Sequence, residues 1–138
     1  MEQSPLVDLL EAIDKLDIDQ VMDLCAPECR LMAVDGRQAE GRRATRQLLV
    51  DFLGQIRSTT HQITSQWHQD DVWFAEVLAT YELKDWLKID GLRRAFVVRA
   101  GADGICDVRV YGANERELSD HRSGEEPFRI GGRLVLPL

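Results

Sequence analysis

The apolar residues of this chain change to a period of two after Ile56, and that change constrains the fold more than any other feature. Up to that point, apart from a short strand pair between the second and third helices, they recur at steps of three and four, the spacing of helices burying one stripe. Beyond it they alternate, as in strands with one buried face. Leu6, Leu9, Leu10, Ile13 and Leu16 predict a first helix that starts at Ser4-Pro5. Asp17 or Asp19 caps a short second helix with Val21, Leu24 and Cys25 inward, ended near Pro27. Cys29 to Val34 reads as a strand, Asp35-Gly36 as a turn, and Gln38 to Glu40 as a short return strand before Gly41. A third helix follows, with Ala44, Leu48, Leu49, Phe52, Leu53 and Ile56 as its apolar stripe.

In the second half His61, Ile63, Ser65 and Trp67 alternate with polar neighbours and form the expected inward face of a strand. After the turn at Asp70-Asp71, the inner face of a long strand carries Trp73, Ala75, Val77, Ala79, Tyr81 and Leu83. Phe74 and Leu78 lie on its outer face and need their own cover. Asp90-Gly91 predicts a hairpin leading into a strand from Leu92 to Ala100, whose faces alternation does not assign. Asp103-Gly104 then leads into a last strand, Ile105 to Tyr111. Helices first and a meander afterwards predict an α+β domain, a curved sheet wrapped on three helices. The domain spans residues 1–114. The charge-rich stretch after Asn114 sets residues 115–138 apart as an extension that serves as edge strand, dimer arm or pocket lid.

At 138 residues the chain is sized for one such domain. Its net charge of -7 removes any general attraction to phosphate backbones, so nucleic acid is not an expected partner. Acids stand where a secretory signal would be basic, and no apolar run is long enough to span a bilayer. A cytoplasmic protein without a membrane partner is expected. Cys25, Cys29 and Cys106 are odd in number and lack C-x-x-C spacing, which predicts reduced thiols. His68 and His121 share no ligand spacing with a carboxylate, and no phosphate-binding loop or G-x-S-x-G is present. Neither metal nor cofactor is expected.

The succession of helix, Asp17-Ile18-Asp19 turn, helix, Ala26-Pro27-Glu28, strand, EGRRATRQLLVDFL, TTHQI, DDVWFAEVLATYEL and DGLRRAFVVRAGADGICDVRVY resembles the SnoaL-like branch of the nuclear transport factor 2-like superfamily. The resemblance implies three N-terminal helices packed in the concave face of a strongly bent antiparallel sheet. This cone encloses an apolar pocket and forms a homodimer through the outer sheet face. Steroid isomerases of this type carry their tyrosine and base where this chain has Leu9 and Ala33, with Asp35 as a reserve acid two positions on. The acid of polyketide cyclases and limonene-type epoxide hydrolases falls on Val110, and the hydrolases' further Arg and Asp fall on Val77 and Ala79. The scytalone and bile-acid dehydratases fit better, because their Asp and His fall on Asp14 and His61. Their water-holding tyrosines fall on Ile13 and Ala33, and their second His falls near Tyr81 or Glu82.

The similarity to the dehydratases implies that Asp14 orients His61 and that His61 moves a proton, the task imidazole suits near neutrality. The competing reading is a core histidine and a solvated helix acid. Tyr81 either donates its phenol hydrogen to a substrate carbonyl or points to water. Trp67, Val77, Ala79, Val108 and Val110 would line a pocket for a small hydrophobic molecule, with Trp86 at its mouth, or else make ordinary core. The expected function is a cofactor-independent dehydratase or isomerase of a small hydrophobic substrate. The alternative is a non-catalytic small-molecule-binding or dimerisation module of the same fold.

Overall fold

Helix α1 (Pro5–Asp14) begins where Ser4 Oγ accepts the Val7 N–H at 3.2 Å and Pro5 fills the first turn. It buries Leu6, Leu9, Leu10, Ala12 and Ile13. The chain turns through Leu16 at φ 56°, and the Asp17 N–H donates to Ala12 O at 3.1 Å. Asp17 Oδ1 accepts the Gln20 N–H at 3.0 Å and so caps α2 (Ile18–Leu24). These contacts belong to a computed structural model that describes residues 4–112, the strand pairs at 129–130 and 133–134, and Leu138.

Strand β1 (Cys25–Met32) follows α2 without a loop, so Cys25, expected on the helix, opens the strand instead. Pro27 lies inside β1 where its ladder shifts register between Cys25 and Arg30, a place that asks for no N–H. Arg42 Nη1 donates to Met22 O and Cys25 O, each at 2.8 Å, and satisfies the end of α2. After β2 (Gln38–Glu40), α3 (Gly41–Leu53) buries Thr45, Leu49, Phe52 and Leu53. The expected stripe is rotated: Ala44 is exposed while Thr45 faces inward to accept from Cys29 Sγ at 3.8 Å, and Ile56 belongs to the next strand.

Strands β3 (Ile56–Gln69), β4 (Val72–Leu83), β5 (Lys88–Gly101) and β6 (Gly104–Tyr111) form the meander. The six-stranded open sheet runs β2-β1-β6-β5-β4-β3, with the three helices packed against it. One ladder departs from the expected antiparallel pattern, since β1 lies parallel to β6. Parallel neighbours need a long crossover, and the whole chain from β2 to β5 supplies it.

Two bulges correct the strand reading. The Asp90-Gly91 pair is not a hairpin. The chain reverses earlier, where the Trp86 N–H donates to Leu83 O at 2.8 Å and the Leu83 N–H to Leu87 O at 2.9 Å. Gly91, at φ 64°, sits instead at a register shift inside β5, between the pairs Tyr81↔Ile89 and Ala79↔Leu92. A tight hairpin and a glycine bulge need the same left-handed residue, so the dipeptide fits both. In β3 the pair Ile63↔Val77 is followed by Ser65↔Glu76, and the extra residue, Thr64, inverts the alternation. Ser65 and Trp67 therefore lie on the outer face, where the Trp67 ring sits 5.3 Å from Phe74 and gives it cover. His68 lies on the inner face and stacks on Trp73 at 4.1 Å.

The inner face of β4 carries Ala75, Val77, Ala79, Tyr81 and Leu83, all buried as expected. The faces of β5 are now assigned: Leu92, Arg94, Phe96 and Val98 point inward, and Val108 and Val110 of β6 continue that core. In the expected extension, β7 (Arg129–Ile130) pairs with β8 (Arg133–Leu134). The rest of residues 113–137, including His121, lies outside the described residues. Among the described residues no helix is long and apolar enough to cross a membrane.

Candidate active site

Asp14 is the last residue of α1, and its carboxylate meets β3 where the strand crosses beneath the helix. Oδ2 accepts the His61 backbone N–H at 3.0 Å, and Oδ1 lies 2.6 Å from His61 Nδ1. One carboxylate thus holds both the strand and the ring. The His61 side chain is fully buried, while that of Asp14 is 26% exposed. With the proton on Nδ1 directed at Asp14, Nε2 is the free lone pair. It points to the Tyr81 hydroxyl, 3.5 Å away. The imidazole is wedged edge-on between Tyr81 and Phe96, at centroid distances of 5.9 and 5.8 Å.

Tyr81 is fully buried on the inner face of β4, with Phe52 edge-on at 5.7 Å. Burial pushes its phenol well above the ordinary value. Arg94 pulls it down and Asp14 adds to the rise. The phenol therefore stays protonated, and it donates to the Leu138 main-chain oxygen at 2.6 Å. Asp14, His61 and Tyr81 come together. Asp35 does not join them: its carboxylate is held in the turn after β1 by Arg37 Nε at 2.7 Å and by the Arg37 N–H at 3.0 Å.

Sequence reasoning missed Arg94. It is 3% exposed on the inward face of β5, its charge reaches Tyr81, and its Nη1 donates to Arg93 O at 3.0 Å. Only the face of β5 could have flagged it, and the run Leu92-Arg93-Arg94-Ala95-Phe96 puts an arginine on each face. Gly112 lies beside it, because a Cβ there would stand 2.6 Å from Arg94 Nη1 and 2.7 Å from Arg93 O.

The expected pocket is nearly filled. A cavity of about 20 Å³ remains next to Leu9, Ile13, Leu49, Phe96, Val108 and Leu138, which is space for about one water molecule. Cys25 and Cys29 also line it, and burial together with the neighbouring Cys29 thiol pushes the Cys25 thiol up to about 12. Of the expected lining residues Val108 borders the cavity, and Val77, Ala79 and Val110 are packed core. Trp67 and Trp86 do not line it. The β3 bulge turns Trp67 outward to 54% exposure. Trp86, at the β4–β5 reversal, is 68% exposed with the Arg57 guanidinium 3.8 Å over its ring.

A family model for the SnoaL-like domain matches residues 6–106. No curated protein matches the chain significantly. Among solved structures, a Catenulispora acidiphila protein of ketosteroid isomerase-like fold, in complex with trimethylamine, superposes with TM-score 0.75 at 14% identity. The match covers 86% of this chain and 92% of that one. A SnoaL-like polyketide cyclase from Shewanella denitrificans gives TM-score 0.71 at 6% identity, covering 79% and 88%. An LEH-like epoxide hydrolase from M. tuberculosis gives 0.69 at 17%, covering 79% and 80%. At such identities these likenesses speak for the fold, and the family match covers most of the chain. The chain belongs to the SnoaL-like domain family, built on the nuclear transport factor 2-like, ketosteroid isomerase-like cone.

Proposed function

We propose that this protein is a cofactor-independent dehydratase or isomerase of a small hydrophobic carbonyl compound, with His61 as proton carrier. The supporting observation is the run of close contacts from the half-buried Asp14 through His61 to Tyr81. Asp14 keeps the proton on Nδ1, so Nε2 takes a proton from the carbon next to the substrate carbonyl. Tyr81 donates its O–H to the carbonyl oxygen as negative charge builds there. In a dehydration the β C–O bond then breaks, and His61 returns its proton to the departing hydroxide, leaving an enone and water. In an isomerisation the same proton returns to another carbon. The positions at which the resemblance puts the acid and ion pair of cyclases and epoxide hydrolases hold Val110, Val77 and Ala79, which transfer no proton.

The test is conversion of 4-hydroxy-4-methyl-2-pentanone to its enone, followed by ultraviolet absorbance. The intact protein should accelerate it over buffer, and His61→Ala should return the rate to background. Equal rates for both proteins would reject the catalytic reading for this substrate class.

One observation favours a second reading, a non-catalytic binding or dimerisation module: the cavity is closed to about 20 Å³. Both readings include a small hydrophobic ligand and a second copy of the chain across the outer sheet face. The exposed Trp67 beside Phe74 supports that pairing.

A further inference from the structure

We propose that Leu138 occupies the ligand's own place, so that this residue is a displaceable intramolecular plug and its shape reports the ligand class. That class is a carbonyl or carboxylate oxygen separated by two carbons from a branched pair of methyl groups. The inference rests on the pocket assigned above and specifies what enters it.

Three observations converge on Leu138. Its main-chain oxygen accepts the hydrogen bond of the Tyr81 hydroxyl at 2.6 Å, while His61 Nε2 stands 3.5 Å from the same hydroxyl. A phenol has one proton to donate, so with Leu138 in place Tyr81 is committed to an oxygen acceptor, as it would be to a substrate carbonyl. The Leu138 residue is 2% exposed and borders the same cavity as Leu9, Ile13, Leu49, Phe96 and Val108, a setting that suits a branched hydrocarbon. What remains beside it holds about one water, so a ligand cannot share the site with Leu138 and must replace it. A leucine residue carries its oxygen at one end and its methyl pair two carbons beyond the carbonyl carbon. 5-Methyl-2-hexanone and 4-methylpentanoate reproduce that arrangement, one neutral and one anionic.

The plug sets an apparent affinity below the intrinsic one, because only molecules with Leu138 displaced can bind. Wild-type protein with labelled leucine methyl groups is titrated with each compound and followed by NMR. Leu138→Met identifies the Leu138 resonances by their disappearance. As the ketone saturates, the Leu138 methyl signals should move from buried to solvent-exposed positions, in step with shifts of the His61 and Tyr81 ring signals. Leu138→Gly should bind the ketone about tenfold or more tightly than wild type, whereas Leu138→Met, which refills the space, should not. Tighter binding of 4-methylpentanoate would identify a carboxylate ligand, and tighter binding of the ketone a neutral carbonyl.

The proposal is overturned if either compound binds while the Leu138 signals stay in place, or if neither binds wild type or Leu138→Gly. The wild-type titration decides alone if Leu138→Gly does not fold. Displacement without dehydration keeps this inference and removes the catalytic reading, and dehydration without displacement does the reverse.

Discussion

At the scale of single residues, the Asp14 carboxylate matters because it accepts from two donors of one histidine. Removing it in Asp14→Ala leaves a backbone N–H and a ring N–H without their acceptor, and denaturant unfolding should show a loss of roughly 1–3 kcal/mol. In Asp14→Asn the amide keeps the shape but offers one acceptor oxygen, and nitrogen NMR should show the Nδ1–H tautomer of His61 giving way to a mixture. Tyr81 carries a pH signature. Burial raises its phenol in the folded state, so the folded protein keeps a proton that the unfolded chain loses above about pH 10. Stability is therefore full below that pH and falls as pH rises beyond it. Tyr81→Phe should flatten this alkaline decline in a series of melts, at a cost near neutrality of roughly 1 kcal/mol for the lost bond to Leu138. Gly112→Ala should lower stability by about 1–3 kcal/mol, because its methyl meets the Arg93 carbonyl and the buried Arg94 at once.

At the scale of elements, the corner between α1 and α2 places Asp14 over β3, and it is held by caps. Asp17→Ala removes the acceptor of the Gln20 N–H and should cost about 1 kcal/mol in denaturant unfolding. These helices were legible because caps and a 3.6-residue period are local properties: Ser4-Pro5, Asp17 and the stripe from Leu6 to Ile13 stand where they were expected. Strand β4 was legible for the same reason, since alternation from Ala75 to Leu83 is unbroken. Strand β3 was misread beyond Ile63, because one extra residue at Thr64 reverses every later side chain and no residue type marks it. The faces of β5 depended on its partners: Arg94 is inward because it pairs with Val77, which only the assembled sheet decides.

At the scale of the molecule, the outer sheet face presents Trp67 against Phe74 and, nearby, a groove of about 590 Å³ bordered by Glu76, Leu78, Arg93 and Tyr111. If two copies pair there, as proposed, Trp67→Lys should weaken self-association about tenfold or more in sedimentation, as loss of a central aromatic anchor does, with circular dichroism unchanged. A wild-type protein that sediments as a monomer would reject the pairing. The sequence by itself determined the three helices and the succession of strands, and its resemblance to the SnoaL-like family implied the pairing of Asp14 with His61. Periodicity, capping and strand order set the helices and strands, and each can be read over short spans. Only the tertiary structure decided the parallel ladder of β1 with β6, the outward turn of Trp67, the burial of Arg94 and the seating of Leu138 in the cavity. Each of those joins residues far apart in the chain, and the space left by packing, rather than any local preference, determines which of them meet.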